Sequence, residues 1–178
     1  MNQKLFNIRK KYTKRILLNN NYKGNQSMNT QILTASFSEL TTTQLYNILQ
    51  LRSDVFVVEQ NCPYLDIDSQ DQESIHLWIQ NEEGQIAAYL RILPKTEDRA
   101  RIMIGRVVVH ADIRQHGFAK KLLQEAFLWI QKNWGNEPIE ISAQSYLLKF
   151  YGSLGFEAIS EVYLEDNIEH LDMLKTEY

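Results

Sequence analysis

A long run of β-branched residues near the middle of the chain turns abruptly into an amphipathic helix. Residues 100–110 read ARIMIGRVVVH, and this nearly continuous apolar character predicts a strand that is buried on both faces. Residues 114–119 read RQHGFA and predict a short turn, after which a helix begins near Gly117. The apolar stripe of this helix consists of Ala119, Leu122, Leu123, Ala126, Phe127 and Ile130. The chain is therefore expected to pack a helix against a sheet, directly after a buried strand.

The turn is also a candidate phosphate site. Small or missing side chains at Gly117 and Ala119 would let a diphosphate approach the N–H groups of the first helical turn, which lack intrahelical partners and carry partial positive charge. Arg114 would add a charge-assisted contact to the same anion. The alternative is that Gly117 serves only the conformation of the connection. The turn has neither the G-x-G-x-x-G of a dinucleotide site nor the G-K-[ST] of a P-loop.

The remaining segments predict strands and helices in alternation. Thr41, followed three residues later by Gln44, has the spacing of a capping box. Helical spacing then relates Leu45, Ile48, Leu49, Arg52 and Phe56. Further segments predict strands over residues 31–37 and 138–144, a hairpin around residues 81–84, a short helix within 145–155, and closing strands over 156–166 and 170–176. This order predicts an α/β fold, with a mixed sheet flanked by helices on both faces.

Composition narrows the classes of protein. A chain of 178 residues predicts one domain, and no apolar run approaches the roughly 18 residues of a membrane span. Cys62 is the only cysteine, so an intrachain disulfide is excluded and a cytoplasmic location is expected. Residues 28–178 carry 12 basic and 22 acidic residues. This acidic balance argues against a nucleic-acid partner and suits a cationic substrate such as an amine.

The first 27 residues differ in composition, with seven basic residues and no acidic ones. Three interpretations stay open: a disordered tail, an organellar transit sequence, or an upstream start that precedes the true one at Met28. We expect residues 1–27 to be a basic, disordered extension and residues 28–178 to form the domain. A nucleic-acid-binding role for the extension remains an alternative that its deletion would test.

Taken together, the segments resemble one family. The turn matches the pyrophosphate loop of GNAT N-acetyltransferases, [Q/R]-x-x-G-x-[G/A]. Three further segments also fit, LRSDVFVVEQNCPYLDID, AQ…FYGSLGF and VYLEDNIEH, together with the GRVVV strand. These motifs occur in the expected order across about residues 31–178, and they look like the ElaA-like branch of the superfamily. The resemblance implies the GNAT fold and acetyl-CoA as cosubstrate.

The resemblance also implies a set of cofactor-binding residues. The main chain of Val107, Val108 and Val109 would pair with the pantetheine arm like an added strand. Gln144 stands where many family members carry an asparagine that contacts the cofactor. The pyrophosphate would be held by Arg114, Gln115, His116, Gly117, Phe118 and Ala119.

By the same resemblance, Tyr151 in FYGSLGF would be the general acid. The sulfur of the departing CoA gains negative charge, and a phenol with a pKa near ~10 can donate a proton to it. The alternative is that Tyr151 is a core aromatic residue beside Phe150 and Phe156.

A proton acceptor is needed as well, because an amine with a pKa of roughly 10.4 is mostly protonated at neutral pH. Glu59 is the first candidate, since it ends the second helical stretch near the expected substrate entrance. Asp66, Glu165, Asp166 and His170 are reserve candidates. The alternative for each is an exposed or ion-paired side chain.

No metal site is predicted. Asp66, Asp68 and Asp71 form D-x-D-x-x-D without the glycine and the final glutamate of an EF-hand, so we expect a substrate-facing acidic loop or a solvated turn. We expect Cys62 to be an inert thiol. The four histidines, His76, His110, His116 and His170, lack metal-ligand spacing.

The sequence therefore predicts direct transfer of an acetyl group from acetyl-CoA to a primary amine in a ternary complex, without a covalent enzyme intermediate. Two alternatives remain. One is a different acyl donor, such as succinyl-CoA or propionyl-CoA. The other is a non-catalytic acyl-CoA-binding or partner-binding module with the same fold. The acceptor would be a small molecule or a protein amine, no membrane partner is expected, and the resemblance allows a homodimer.

Overall fold

A mixed eight-stranded sheet organises the chain in the computed structural model, which describes residues 30–177. The strands are β1 Thr30–Ser36, β2 Ile75–Asn81, β3 Ile86–Leu93, β4 Ile102–Val109, β5 Ile139–Gln144, β6 Glu157–Ala158, β7 Tyr163–Glu165 and β8 Ile168–Lys175. The α-helices are α1 Thr42–Arg52, α2 Phe118–Trp134 and α3 Leu148–Gly152, and a π-helix covers Ser53–Glu59. Short 3₁₀ turns cover Phe37–Glu39, Asp71–Glu73, Ala111–Ile113 and Ser145–Leu147.

The sheet order is β1-β2-β3-β4-β5-β8-β6, with β7 paired to β8. Of these pairs, β4 and β5 run parallel and the others run antiparallel. The predicted mixed sheet is therefore confirmed. No helix in residues 30–177 is both long and apolar enough to cross a membrane.

Side chains alternate between two faces along each strand, and each face is covered by a helix. On β2, Leu77 and Ile79 belong to a cluster with α2, whereas Trp78 belongs to a cluster with α1. Leu122 of α2 and Ile48 of α1 are both fully buried. The prediction of helices on both faces is thus confirmed, and the sheet lies between two cores.

Helix α1 begins at the predicted capping box. The Gln44 N–H donates to Thr41 Oγ1 at 3.2 Å, and the Thr41 N–H donates to Gln44 Oε1 at 2.9 Å. The predicted helical stretch continues past Arg52, but as a π-helix in which the Gln60 N–H bonds the Val55 carbonyl five residues back. π-Helical turns are uncommon and are found frequently at functional sites.

Strands β4 and β5 pair only at their amino ends among the described residues, at Ile102–Ile139 and Met103–Glu140. Farther along, β4 carries a bulge at Arg106, whose φ is +54°. Because a bulge bends its strand, β4 turns away from β5. A gap opens between the carboxyl ends of the two strands, and this gap holds the candidate functional site.

One predicted element differs. Residues 156–166 were expected to form a single strand, but they form β6 and β7 with a break between them. The Ser160 hydroxyl explains part of this break, because it accepts the Asp172 N–H at 2.8 Å, a donor that a continuous neighbouring strand would engage through its main chain. The expected extension at residues 1–27 lies outside the described residues.

Candidate active site

A cavity of about 860 Å³ lies in the gap between β4 and β5. Residues from β4, β5, the π-helix, α3 and the start of α2 line it, together with the tip of the β7–β8 hairpin. The lining includes these residues of the predicted site: Glu59, Val107, Val108, Val109, Arg114, Gln115, Gly117, Phe118, Ala119, Gln144 and Tyr151. The fold thus brings together segments that are almost a hundred positions apart in the sequence.

The N-terminus of α2 opens into this cavity. Gly117 is the N-cap, with φ +77°, and no side chain caps the helix there. A Cβ atom added at Gly117 would meet no heavy atom within 4 Å. The first intrahelical bond runs from the Lys121 N–H to the Gly117 carbonyl at 3.0 Å, so the preceding N–H groups have no partner within the helix. This arrangement fits an anion of the size of a diphosphate.

Arg114 lies at the same end of the helix, and its guanidinium is engaged by protein groups. Nη1 donates to Glu59 Oε1 at 2.6 Å and Nη2 donates to Oε2 at 2.8 Å, while Nε donates to the Val109 carbonyl at 3.3 Å. The hydrogen bonds from Arg114 to Glu59 raise the pKa of the guanidinium. The predicted anion-binding residue and the predicted base therefore contact each other.

His116 is the one predicted cofactor residue whose side chain is outside the cavity lining. Its Nδ1 lies 2.9 Å from the Arg114 carbonyl and 3.1 Å from the Ile113 carbonyl. Both partners are acceptors, so this nitrogen carries the proton. The imidazole therefore folds back on its own turn, and a cofactor contact at this position would use the main chain.

Tyr151 serves both the core and the cavity. The residue is only 6% exposed and packs edge-on against Phe150 and Phe156, with ring centroids 5.0 and 5.9 Å away. Burial raises the pKa of the phenol above its ordinary value, and the nearby Tyr146 adds a smaller effect in the same direction. Tyr151 is thus a neutral phenol at physiological pH, which is the form that donates a proton.

The D-x-D-x-x-D segment was expected to be a substrate-facing acidic loop or a solvated turn. Burial of Asp66 and Asp71 excludes the solvated turn, while Asp68 lines the cavity. The three carboxylates form ion pairs with arginines from α1, β3 and the β4 bulge, and we call this set the Arg–Asp cluster: Arg52, Arg91, Arg106, Asp66, Asp68 and Asp71. Arg52 donates to Asp71 at 2.8 Å, and Arg91 donates to the same oxygen at 2.9 Å. The cluster ties the loop before β2 to the sheet.

Two opposing effects set the pKa values of the aspartates in the cluster: burial raises them, and contact with arginines lowers them. Burial alone raises the pKa of Asp68, but hydrogen bonds and charge from Arg91, with smaller contributions from the Gln70 N–H and Arg106, bring it down to about 2. Asp71, which is 4% exposed, also has a lowered pKa because Arg52 and Arg91 outweigh its burial. Among residues 30–177, no group of histidine, cysteine and acidic side chains is arranged to hold a metal ion.

The reserve candidates for the proton acceptor lie in different environments. Asp66 is buried within the Arg–Asp cluster, where its two carboxylate oxygens accept hydrogen bonds from Arg52 and Arg106. Glu165, Asp166 and His170 line the cavity from the β7–β8 hairpin, whose tip residues Asp166 and Asn167 both have positive φ. This two-residue turn holds the acidic side chains at the rim of the cavity.

The structure adds Lys120, a lining residue that the sequence did not single out. Lys120 lies in the first turn of α2 and brings a second cation to that end of the cavity. Its place follows from helical spacing after Gly117, so the register of the helix was sufficient to find it.

Cys62 also lines the cavity, but it is 7% exposed and its thiol faces the Asp166 carbonyl at 3.6 Å. Gln144 donates from Nε2 to Gln60 Oε1 at 3.3 Å.

Comparison with known proteins places this geometry in a family. Residues 48–177 match the family model described as "Acetyltransferase (GNAT) domain". Protein ElaA of Escherichia coli is 40% identical over 139 residues, which cover 78% of this chain and 91% of ElaA. A UPF0039 protein of Schizosaccharomyces pombe is 37% identical over 146 residues, which cover 82% of this chain and 96% of the relative.

Solved structures agree. The crystal structure of an acyl-CoA N-acyltransferase from Pseudomonas aeruginosa superposes with a TM-score of 0.78 at 38% identity, covering 82% of this chain and 99% of that one. The crystal structure of E. coli ElaA gives a TM-score of 0.76 at 38% identity, with the same coverage. The sheet gap, the open helix and the matched segments thus lead to one assignment: the chain belongs to the GNAT family of acyl-CoA-dependent acyltransferases, in its ElaA-like branch.

Proposed function

We propose that this protein transfers an acetyl group from acetyl-CoA to a primary amine. The observation that carries the proposal is the uncapped N-terminus of α2, which opens into the gap between β4 and β5. The gap exposes strand edge on one side, and the helix end presents N–H donors on the other. A long ligand with a diphosphate in its middle and an amide-rich arm fits these two surfaces.

The residues assigned to the cofactor follow from this placement. The N–H groups of Gly117, Phe118 and Ala119 would hold the pyrophosphate, with Arg114 and Lys120 supplying positive charge. The main chain of Val107–Val109 would pair with the pantetheine arm, since β5 pairs with β4 only before this segment. The bound thioester supplies the activated acetyl group, and the protein supplies its alignment with the amine.

Tyr151 and Glu59 are the proposed proton donor and acceptor. The amine nitrogen attacks the thioester carbonyl, a C–N bond forms and the C–S bond breaks. Tyr151 gives its phenolic proton to the departing sulfur, which suits a buried phenol that stays neutral at physiological pH. Glu59 takes the proton that the amine loses, directly or through water. Proton return from Glu59 through solvent restores Tyr151.

The test is an assay of CoA release with acetyl-CoA and a panel of amines, run on the wild type and on Tyr151→Phe. The variant keeps the aromatic packing and removes only the hydroxyl. We expect kcat to fall by roughly 10²- to 10⁴-fold, the range for a general acid, while CoA binding measured by calorimetry stays unchanged. Equal kcat in the two proteins would refute the role of Tyr151.

The same panel distinguishes the alternatives. Propionyl-CoA and succinyl-CoA in parallel reactions show whether the acyl pocket accepts a longer or an anionic chain. A module that binds acyl-CoA without catalysis would release no CoA with any amine although calorimetry detects binding. Failure of both binding and turnover would refute the proposed function as a whole.

A further inference from the structure

The ion pair between Glu59 and Arg114 joins two residues whose proposed roles exclude their contact. Arg114 is assigned to the pyrophosphate, yet both of its terminal nitrogens donate to Glu59. Glu59 is assigned to the amine proton, yet both of its oxygens accept from Arg114. Among the described residues, Glu59 has no other ion-pair partner. One exchange of partners would therefore release both residues for their tasks.

We propose that the pyrophosphate of the cofactor displaces Glu59 from Arg114 and thereby frees the Glu59 carboxylate to accept the amine proton. This inference rests on the proposed function. It makes the base available only when the acyl donor is in place. Before that, both carboxylate oxygens of Glu59 accept hydrogen bonds from Arg114, so neither is open to the amine.

The energetics permit the exchange. The two side chains are 42% and 41% exposed, and an exposed ion pair contributes only about 0–1 kcal/mol. The diphosphate as a whole carries two negative charges against one on a carboxylate, and it also meets the N–H groups of α2, so it competes well for the guanidinium. Arg114 need not move, because its Nε already donates a hydrogen bond to the Val109 carbonyl near the N-terminus of α2. Only the carboxylate of Glu59 has to move away.

The exchange predicts an unusual phenotype for variants of Glu59. Replacing this carboxylate should raise the affinity for CoA and lower kcat. Glu59→Gln eliminates the competitor for Arg114, so we expect CoA to bind about two- to fivefold more tightly, which corresponds to the worth of an exposed pair. The same variant should have a lower kcat, because an amide does not accept the amine proton. A residue with a merely structural role would not change the two quantities in opposite directions.

The experiment is calorimetric titration of CoA into four proteins: wild type, Glu59→Gln, Arg114→Ala and the double variant. Arg114→Ala should weaken binding, by about tenfold for the loss of one charge-assisted contact. In the Arg114→Ala background, Glu59→Gln should have no further effect. Glu165→Gln is the matched control, because it removes one negative charge from the cavity lining without touching Arg114, and we expect it to change CoA affinity less than Glu59→Gln does.

The outcomes are separable. Unchanged or weaker CoA binding in Glu59→Gln would overturn the exchange, and so would equal tightening with and without Arg114. Absence of CoA binding in the wild type would instead overturn the proposed function. Both residues of the pair are exposed, so the variants are expected to fold, and their melting temperatures verify this.

Discussion

Replacing Gly117 with alanine separates the conformational role of this glycine from its role beside a ligand. Gly117 has φ +77°, and an added Cβ would meet no protein atom within 4 Å. Gly84, in the β2–β3 hairpin, has φ +78° and the same empty surroundings, but it does not line the cavity. Gly117→Ala and Gly84→Ala therefore impose the same backbone strain at two places, one of which faces the candidate cofactor site.

The expected magnitudes follow from this match. A left-handed conformation costs a non-glycine residue roughly 1–2 kcal/mol, so both variants should lose about that much stability. For a domain of this length, that loss lowers Tm by roughly 2–4 °C per kcal/mol. Only Gly117→Ala places a methyl group between the anion and the N–H groups of α2. Loss of one charge-assisted hydrogen bond, about 1.5–3 kcal/mol, weakens CoA binding by roughly 10- to 150-fold.

Thermal unfolding measures the first effect and calorimetric titration of CoA measures the second. We expect similar Tm values for the two variants and normal CoA affinity in Gly84→Ala alone. If Gly117→Ala bound CoA as tightly as Gly84→Ala does, the alternative stated for Gly117 would hold, and this glycine would serve only the connection between strand and helix.

Two further predictions concern the Arg–Asp cluster. Asp71→Asn leaves Arg52 and Arg91 buried with one carboxylate fewer, so urea unfolding should show a loss of about 3–5 kcal/mol. Glu140, the half-buried partner of the exposed Arg101, is a control, and Glu140→Gln should cost less than about 1 kcal/mol. A similar cost for both would contradict the importance of burial. Asp68 has a folded pKa of about 2, below the ordinary value of ~3.9, so its contribution is complete above about pH 4 and is lost as the pH falls to 2. After allowance for solvent, this is about 1–2 kcal/mol, and Asp68→Asn should remove it from the pH dependence of stability; an identical acid transition in both proteins would refute it.

Local patterns in the sequence were sufficient for much of the fold. The capping box at Thr41 predicted the start of α1, and the turn signal at residues 81–84 predicted the β2–β3 hairpin. The strand–turn–helix segment predicted the position of the open helix end at Gly117. Each of these inferences depends on residues within a few positions of one another, where hydrogen-bond and side-chain geometry repeat with a known period.

The contacts that shape the site could not be predicted in this way. The ion pairs of the Arg–Asp cluster join residues 14 to 40 positions apart, and Glu59 lies 55 positions before Arg114. No periodicity reports such pairings, so the sequence predicted a substrate-facing acidic loop or a solvated turn here, although Asp66 and Asp71 are both buried. The π-helix could not be predicted either, because its apolar residues fit α-helical spacing nearly as well as π-helical spacing.

The most direct test of the account is a titration of ¹⁵N-labelled protein with CoA, followed by the backbone amide signals. The N–H groups of residues 117–120 should shift most, because they are the donors assigned to the pyrophosphate, and signals of residues 107–109 should shift with them. The account would be contradicted if CoA bound with the largest shifts elsewhere and left the amides at the start of α2 unchanged.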